Sequence, residues 1–478
     1  MSAARLIARD ELRLMARNRV AAVALMLLVV LTLVASLTAW GHQRAIADTR
    51  ARQQAEAAAA FNAQPDRHPH RMVHYGQFIY RPLGPLAAFD PGVDAFTGNS
   101  MFLEGHRQNT ANFGDVQQSS MLVRFGQLTP AFVLQAVAPL LLIFLGFGAV
   151  ARERERGTLR PLLVGGASRG SIVGGKLAAL GTVAAIAGVP AVIGFVLIAG
   201  QPGAHALPML VIAAGYFAYL ALWTVLVVLV SAAVKRSRDA LLVLLALWSV
   251  TVVLVPRVAP DIAGTAVPLA NRIDTDIAIA RDLRRAGDSH NPDDPTFAAF
   301  KRRTLARYGV ERIEDLPVNY KGLLAVEGER ITSGLFDRYA AAGFAAQERQ
   351  GALVAAAGLL SPAVALRDLS MAAAGTDNAG HQRFLEQAER YRYALVQRLN
   401  QLQADSVRYI DDTAKDAGAD RRKRIGADHW QAIPPFTFNA ATGATLAAAA
   451  LPGLAMVAAW LIAALGGLAL VTRRLGAR

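Results

Sequence analysis

The sequence contains no cysteine, which excludes disulfide bonds, thiolate metal sites and cysteine nucleophiles. Charged residues are scarce as well: they make up 18% of the 478 residues, against about 25% in ordinary globular chains. Aromatic residues account for only 7%, so the 54% hydrophobic content is mainly Ala, Val and Leu. Together with a mean hydropathy of +0.31, this composition argues against an ordinary soluble chain and indicates helices in lipid.

Six apolar segments come close to or exceed the length of about 20 residues that a membrane-crossing helix needs. None contains Asp, Glu, Lys, Arg or His, any of which would be costly at the centre of a bilayer. Pro256 is expected to end the fifth segment. The predicted spans are residues 20–40, 130–150, 177–198, 208–234, 240–255 and 446–471. The predicted fold class is therefore an all-α polytopic membrane protein with six transmembrane helices.

The distribution of Lys and Arg predicts the orientation of these spans. Segments 1–19, 151–176, 235–239 and 472–478 hold 17 basic and 5 acidic residues, whereas the remaining loops hold 33 and 31. Basic residues concentrate on the cytoplasmic side of membrane proteins, so both termini are predicted to be cytoplasmic. The net charge of +14 follows from this topology, and no nucleic-acid partner is expected. The Ala/Arg-rich composition, without a eukaryotic targeting signal, favours a bacterial inner membrane.

Two large insertions, residues 41–129 and 256–445, are predicted to lie outside the cytoplasm and to pack together. The first is expected to be loop-like, because Pro and Gly recur at residues 82–92. The second shows helical periodicity around residues 381–409 and is expected to be mostly helical. Residues 351–366 are apolar but broken by Pro362, which predicts a core or interfacial helix rather than a seventh span.

The cytoplasmic segments are too short to form a nucleotide-binding or enzyme domain of their own. At the N-terminus, Arg5, Arg9, Arg13 and Arg17 recur at every fourth position. Ile7, Leu14 and Met15 are expected on the opposite side. The pattern is typical of a helix that lies on the membrane surface and contacts lipid.

Two stretches of the segment between spans 2 and 3 imitate catalytic motifs. Residues 170–176 match a phosphate-binding loop, but Leu177 replaces the Ser or Thr that would hold magnesium. Residues 166–170 match the serine elbow of hydrolases, but every histidine falls on the other side of the predicted membrane. We therefore expect no catalytic residue in this chain.

Two basic clusters in the insertions were weighed as binding sites. His68, His70 and His74 could ligate zinc or copper, but Pro69 separates the first pair and no carboxylate or thiolate lies nearby in the sequence. Solvated loop histidines are expected, and no metal is predicted. The basic run 421–424 is expected to be a solvated turn or to face lipid headgroups.

The segment that follows span 2 carries a possible docking motif. Residues 152–156 alternate between Arg and Glu, and Gly157 provides a turn after which Thr158 is expected to cap a short helix beginning near Leu159. A charged helix beneath a membrane bundle is suited to dock into a groove on a soluble partner.

This motif resembles the signature of ABC-2-type transporter permeases, in which Glu-x-Glu-x-Gly-Thr-Leu and a later Ser-Arg lie between the second and third spans. The resemblance assigns the ATPase-coupling interface to Arg152, Glu153, Arg154, Glu155, Gly157, Thr158, Leu159, Ser168 and Arg169. It also implies an exporter-like fold, a second permease subunit, and separate ATP-binding subunits that hold ATP and Mg²⁺. The chain itself is then not an enzyme and carries no cofactor.

Residues 366–370, 374–377 and 434–436 further resemble a subfamily of these permeases with large extracytoplasmic insertions of unknown function. The few polar residues in the spans suggest an amphipathic substrate or the transmission of force to the outer insertions. Two alternatives are a membrane-anchored extracytoplasmic scaffold or sensor, and a secondary transporter. The charge-free spans argue against the second, because they offer no proton or sodium relay.

Overall fold

The computed structural model describes residues 2–112 and 128–475. Residues 113–127 of the first insertion and 476–478 of the predicted C-terminal tail lie outside the described residues. Within the described chain, six helices are long and apolar enough to cross a membrane. They are span 1 (Arg19–Asn62), span 2 (Pro130–Glu155), span 3 (Arg169–Ala199), span 4 (Ala206–Ala233), span 5 (Ser237–Ala266) and span 6 (Gly443–Arg473). The prediction of an all-α polytopic membrane protein with six spans is confirmed.

Short polar residues start four of these helices. The side chains of Asn18, Thr129, Ser168 and Thr442 each accept a hydrogen bond from a backbone N–H in the first turn of the helix that follows. Such caps satisfy donors that have no partner inside the helix. The chain therefore marks the beginnings of spans 1, 2, 3 and 6 locally, before any tertiary contact forms.

Span 4 lies at the centre of the bundle. Its Tyr219 and Trp223 are fully buried, and it packs against spans 2, 3 and 6. Other spans lie at the periphery, where Val192 of span 3, Leu242 of span 5 and Ile462 of span 6 are mostly exposed. Large apolar side chains that face outward around a buried centre fit a bundle surrounded by hydrocarbon rather than water.

Span 5 does not end before Pro256 as predicted. An α-helical segment, Ser237–Trp248, passes through a π-helical turn at Ser249–Leu254 into a further helix, Val255–Ala266. Proline lacks the N–H that would bond to the preceding turn, and its ring crowds that turn. The wider π-helical turn occurs immediately before the proline and gives the ring room, so the helix continues.

The first insertion is less loop-like than predicted, because span 1 continues as a helix to Asn62. Residues 41–62 are rich in Ala, Arg and Gln, which are strong helix formers. Helix Pro69–Tyr75 follows, and strand Gln77–Tyr80 pairs antiparallel with strand Ser100–Leu103. The turn-forming residues at 82–92 connect these two strands.

The second insertion is mostly helical, as predicted. Its main helices are Arg272–Ala286, Ala298–Tyr308, Tyr320–Ala356, Pro362–Ala374 and Asn378–Ser406, followed by the short helices Tyr409–Thr413, Ala419–Arg422 and Asp428–Gln431. The two insertions share hydrophobic cores: Met72 of the first packs in one cluster with Leu399 and Trp430 of the second. They form one unit, which we call the soluble domain.

Helix Pro362–Ala374 belongs to this insertion in sequence but packs between spans 4 and 6. Ser361 caps it and also donates a hydrogen bond to the carbonyl of Thr251 in span 5. Trp460 of span 6 donates to the carbonyl of Gly358 at 3.0 Å. The apolar segment 351–366 therefore enters the bundle and turns back, and it does not form a seventh span.

We predict that Gly453→Ala weakens the packing of this inserted helix. A Cβ at Gly453 would lie 2.8 Å from the carbonyl oxygen of Ala365 and 2.9 Å from the backbone nitrogen of Leu369. Overpacking of this kind costs about 1–3 kcal/mol, so the unfolding temperature of the purified protein should fall. Gly466→Ala, in the same helix with no atom within 4 Å, is the control. Equal unfolding temperatures for the two variants would contradict the packing described.

Candidate coupling surface on the basic face

The end of the bundle opposite the soluble domain carries the basic segments, and we call it the basic face. Its first element is the N-terminal helix, Ala3–Arg17, which packs along span 3, where Ile7 lies against Gly175. A Cβ at Gly175 would come within 2.7 Å of Ile7, so glycine permits this close approach.

The four arginines of the predicted cationic stripe, Arg5, Arg9, Arg13 and Arg17, are all exposed on this helix. Ile7 and Met15 pack against the hydrophobic core on the other side. Leu14 differs from the prediction, because 54% of its surface is exposed. An exposed leucine beside a row of arginines is the pattern expected where a helix borders both lipid and headgroups.

Lys176 connects three elements of the basic face. It belongs to span 3, and its side chain is only 4% exposed. Its ammonium group forms ion pairs with Glu11 of the N-terminal helix and, at 3.0 Å, with Glu153 of the predicted coupling motif. A buried ammonium needs such partners, because an unpaired charge in this environment is strongly destabilising.

The next two residues of the motif attach it to spans 4 and 5. Arg154 donates hydrogen bonds to the carbonyls of Ala232 and Val234, where span 4 ends. Glu155 accepts from the backbone N–H of Ser237 at 2.9 Å and from its hydroxyl at 2.6 Å, where span 5 begins. Both interactions satisfy backbone groups that a helix end leaves without an internal partner.

The turn in the motif forms at Gly157, whose φ of 72° lies in the left-handed region that favours glycine. Thr158 precedes helix Leu159–Val164, but its side chain makes no cap. Instead its hydroxyl donates to Glu153, which corrects the predicted capping role. Leu159 is buried against the bundle. The turn at Gly157 is therefore fixed by the contact of Thr158 with Glu153 and by the burial of Leu159.

On the short helix, Arg160, Pro161 and Val164 are exposed, and so is Arg156 just before the turn; we call these four residues the tip. Val164 is 89% exposed, an unusual state for a large apolar side chain at the end of a well-packed helix. Val164 is not among the coupling residues that the charged motif predicts. The sequence does show that Val164 ends the apolar run Leu162–Leu163–Val164, one residue beyond the side chains that pack against the bundle.

Ser168 and Arg169 complete the predicted set. Ser168 caps span 3 by accepting from the backbone of Ser171 at 3.0 Å. Arg169 donates to the carbonyl of Arg473 at 2.6 Å, which connects the start of span 3 to the end of span 6. Several of the predicted residues thus make contacts that hold this segment in place. Six of the nine are exposed, namely Arg152, Glu155, Gly157, Thr158, Ser168 and Arg169.

The two motifs that imitate catalytic sites have other roles in the structure. Residues 170–176 lie within the span 3 helix, and Lys176 forms ion pairs with two carboxylates. Ser168 serves as a helix cap, and its hydroxyl lies 2.8 Å from that of Ser171. Neither arrangement presents a loop of free N–H groups or a serine with a histidine base.

Of the three histidines predicted to lie in a solvated loop, His68, His70 and His74, only His74 is exposed, and it lies in a helix. His68 is buried and lies 3.0 Å from Asp412; burial opposes ionisation of that carboxyl, but hydrogen bonds, first of all from His68, hold its pKa well below the usual range. Pro69 is the first residue of a helix, so His70 and His74 share one helical face. In the basic run, Arg422 pairs with Asp411 and Asp416, as a solvated turn would.

Comparison with protein-family models decides the affiliation of the chain. The model described as ABC-2 family transporter protein matches residues 5–281, which include the N-terminal helix, spans 1 to 5 and the whole predicted coupling motif. The chain belongs to the ABC-2 family of transporter proteins. A second model, described as a domain of unknown function (DUF3526), matches residues 272–439 of this ABC-2 protein. Comparison with curated proteins finds no match.

The family result confirms the resemblance stated from the motif. It identifies the chain as a multi-pass membrane component of an ABC transporter, and members of such a family work with ATP-binding subunits. The second match covers the larger part of the second insertion. This ABC-2 protein therefore combines a family-typical bundle with a soluble domain of unassigned role.

We predict that Lys176→Met releases the N-terminal helix. The substitution keeps the length of the side chain but leaves Glu11 and Glu153 without a cation, and breaking a buried pair costs about 3–5 kcal/mol. Trypsin should then cleave after the exposed arginines of the N-terminal helix faster than in the wild type. Lys235→Met, which removes an exposed lysine of the same face, is the control. Unchanged cleavage in Lys176→Met would show that the ion pairs do not hold the helix.

Proposed function

We propose that this ABC-2 protein is the permease subunit of an ABC transporter and that its basic face receives force from separate ATP-binding subunits. The observation that carries the proposal is the double role of residues 152–169. Their inward side chains bind spans 3, 4 and 5 and, through Lys176, are connected to the N-terminal helix, while Arg160 and Val164 of the tip are exposed. A small, firmly held projection is suited to transmit a rigid-body push.

The contacts define the route of that push. A force on the short helix reaches span 3 and the N-terminal helix through Glu153 and Lys176. It reaches span 5 through Glu155 and Ser237. Closure of a partner could therefore tilt several spans together, the kind of rigid-body movement by which packed helices switch between two arrangements.

The assembly we propose has two permease subunits, identical or paralogous, and two ATP-binding subunits that hold ATP and Mg²⁺. The basic face is cytoplasmic and the soluble domain lies on the outer side of a bacterial inner membrane. The charge distribution supports this orientation, because short segments with excess Lys and Arg remain in the cytoplasm.

The bundle supports an amphipathic substrate or force transmission rather than the passage of a hydrophilic ion. Gln135 donates to the hydroxyl of Tyr216 at 2.6 Å, and Tyr219 donates to the carbonyl of Gln135. The hydroxyls of Thr182, Thr224 and Thr251 bond to carbonyls of their own helices. Because these polar groups already form hydrogen bonds within the protein, they are poorly placed to replace the hydration shell of an ion.

We predict that Val164→Asp abolishes co-purification of the ATP-binding subunit. A carboxylate at the exposed tip should oppose burial of this position in a partner's groove. The matched control is Ile410→Asp, since Ile410 is 65% exposed but belongs to the soluble domain. The assay compares ATPase recovery with each variant. Full recovery of the ATP-binding subunit with Val164→Asp would show that the tip is not part of the docking surface.

The orientation has a direct test because the chain lacks cysteine. A membrane-impermeant maleimide should label Ile410→Cys in intact spheroplasts and Val164→Cys only in inverted vesicles. Both positions are exposed, so a difference in labelling reports the side of the membrane. The reverse pattern would place the soluble domain in the cytoplasm and contradict the proposed function.

A further inference from the structure

Four histidines from three separate segments meet in the soluble domain. They are His70, His74, His106 and His290, and one ring nitrogen of each lies within 4.8 Å of those of the others. We call this group the histidine cluster. Three of its members belong to the first insertion and one to the second, and no role in the coupling mechanism above involves it.

Helix Pro69–Tyr75 supplies the first two members. His70 and His74 are one turn apart, and their Nε2 atoms are separated by 3.1 Å. Two ligands of a tetrahedral zinc ion lie about 3.3 Å apart when each Zn–N bond is about 2.0–2.1 Å. The ring of His70 also lies close to the other two members of the group, with its centroid 5.7 Å from that of His106 and 5.4 Å from that of His290.

His106 is brought to this helix by a tight turn. The N–H of Gly105 donates to the carbonyl of Val73 at 3.0 Å, and a Cβ at Gly105 would collide with the Val73 side chain at 2.2 Å. Nδ1 of His106 lies 3.3 Å from Oε2 of Glu329. Its Nε2 is buried and has no hydrogen-bond partner.

The carboxylate behind His106 is itself fixed. Glu329 is fully buried and pairs with Arg392 at 2.6 Å. A carboxylate that binds Nδ1 leaves Nε2 as the lone-pair nitrogen and orients the ring. Metal-ligating histidines almost always have such a partner.

His290 repeats the arrangement from the second insertion. Its Nδ1 lies 3.1 Å from Oδ1 of Asp288, which again leaves Nε2 for another ligand. Ser289 fixes the position of this loop by packing closely on Gly328. A Cβ at Gly328 would lie 2.2 Å from the Cβ of Ser289. The ring centroids of His290 and His106 are 4.8 Å apart.

We propose that His70, His74, His106 and His290 bind one divalent transition-metal ion of the zinc and copper class, and that this ion joins the two insertions of the soluble domain. Imidazole nitrogen suits Zn²⁺, Cu²⁺ and Ni²⁺, whereas Mg²⁺ and Ca²⁺ require oxygen ligands. The ring nitrogens, now up to 4.8 Å apart, would have to approach one another by about 1.5 Å to reach the spacing of a tetrahedral site. Rotation of the two exposed rings, His74 and His290, would bring them closer.

The experiment measures metal binding by the full-length protein, purified in detergent with a tag that contains no histidine and stripped with EDTA. Zn²⁺, Cu²⁺, Co²⁺ and Mg²⁺ are titrated separately, and bound metal is counted by mass spectrometry. We expect one tightly bound Zn²⁺ or Cu²⁺ per chain, no binding of Mg²⁺, and visible absorption bands of tetrahedral Co²⁺. The tighter of Zn²⁺ and Cu²⁺ identifies the preferred ion.

Two variants connect binding to the proposed residues. Asp288→Asn should weaken binding about tenfold, the usual effect of losing a partner of a metal-bound histidine, and His290→Ala should weaken it more. Both lie in an exposed loop, so the fold should survive. His429→Ala, an exposed histidine with its own aspartate, Asp428, at 3.3 Å, is the matched control and should bind as the wild type does.

Binding of less than about 0.1 ion per chain, or equal binding by His290→Ala and His429→Ala, would overturn the proposal. The four rings would then be a hydrogen-bonded and stacked cluster without metal. The outcome is independent of the coupling function, since titration of the isolated permease needs neither ATP nor the ATP-binding subunit.

Discussion

The buried charge of Lys176 is the interaction on which the basic face depends. A lysine ammonium at the end of a membrane span cannot be left without partners, because its desolvation is too costly. Its two carboxylate partners come from the N-terminal helix and from the motif after span 2. The need to neutralise one charge thus brings three segments to one place and positions the short helix that carries the exposed tip.

The same rule organises the opposite end of the molecule. Arg392 is fully buried in the soluble domain and is neutralised by Glu329 and Glu389. Glu329 also holds His106 in the histidine cluster. In both places, a buried cation determines where a carboxylate lies, and that carboxylate positions a residue with a proposed function. The bundle between them contains the inserted helix Pro362–Ala374, which offers a mechanical link from the spans to the soluble domain.

Local features of the chain predicted much of this architecture. Long charge-free segments predict the spans because charged side chains are costly in hydrocarbon, and the Glu-x-Glu-x-Gly-Thr-Leu motif led to the correct family. Errors arose where one residue was weighed without its surroundings. Pro256 was expected to end a helix, but the π-helical turn before it accommodates the ring. Residues 41–62 form a helix although the turn-forming residues downstream predict a loop, because their own helix propensity is high.

By itself, the sequence determined that six apolar helices form, where most of them begin, and that excess positive charge lies at one end. Each of these depends on neighbours within a few positions. Only the tertiary structure decided the pairing of Lys176 with Glu11 and the meeting of His70 with His290, because the two residues of each pair are more than 150 positions apart in the chain. Their pairing depends on which helices pack together, and the helical periodicity of any one segment does not contain that information.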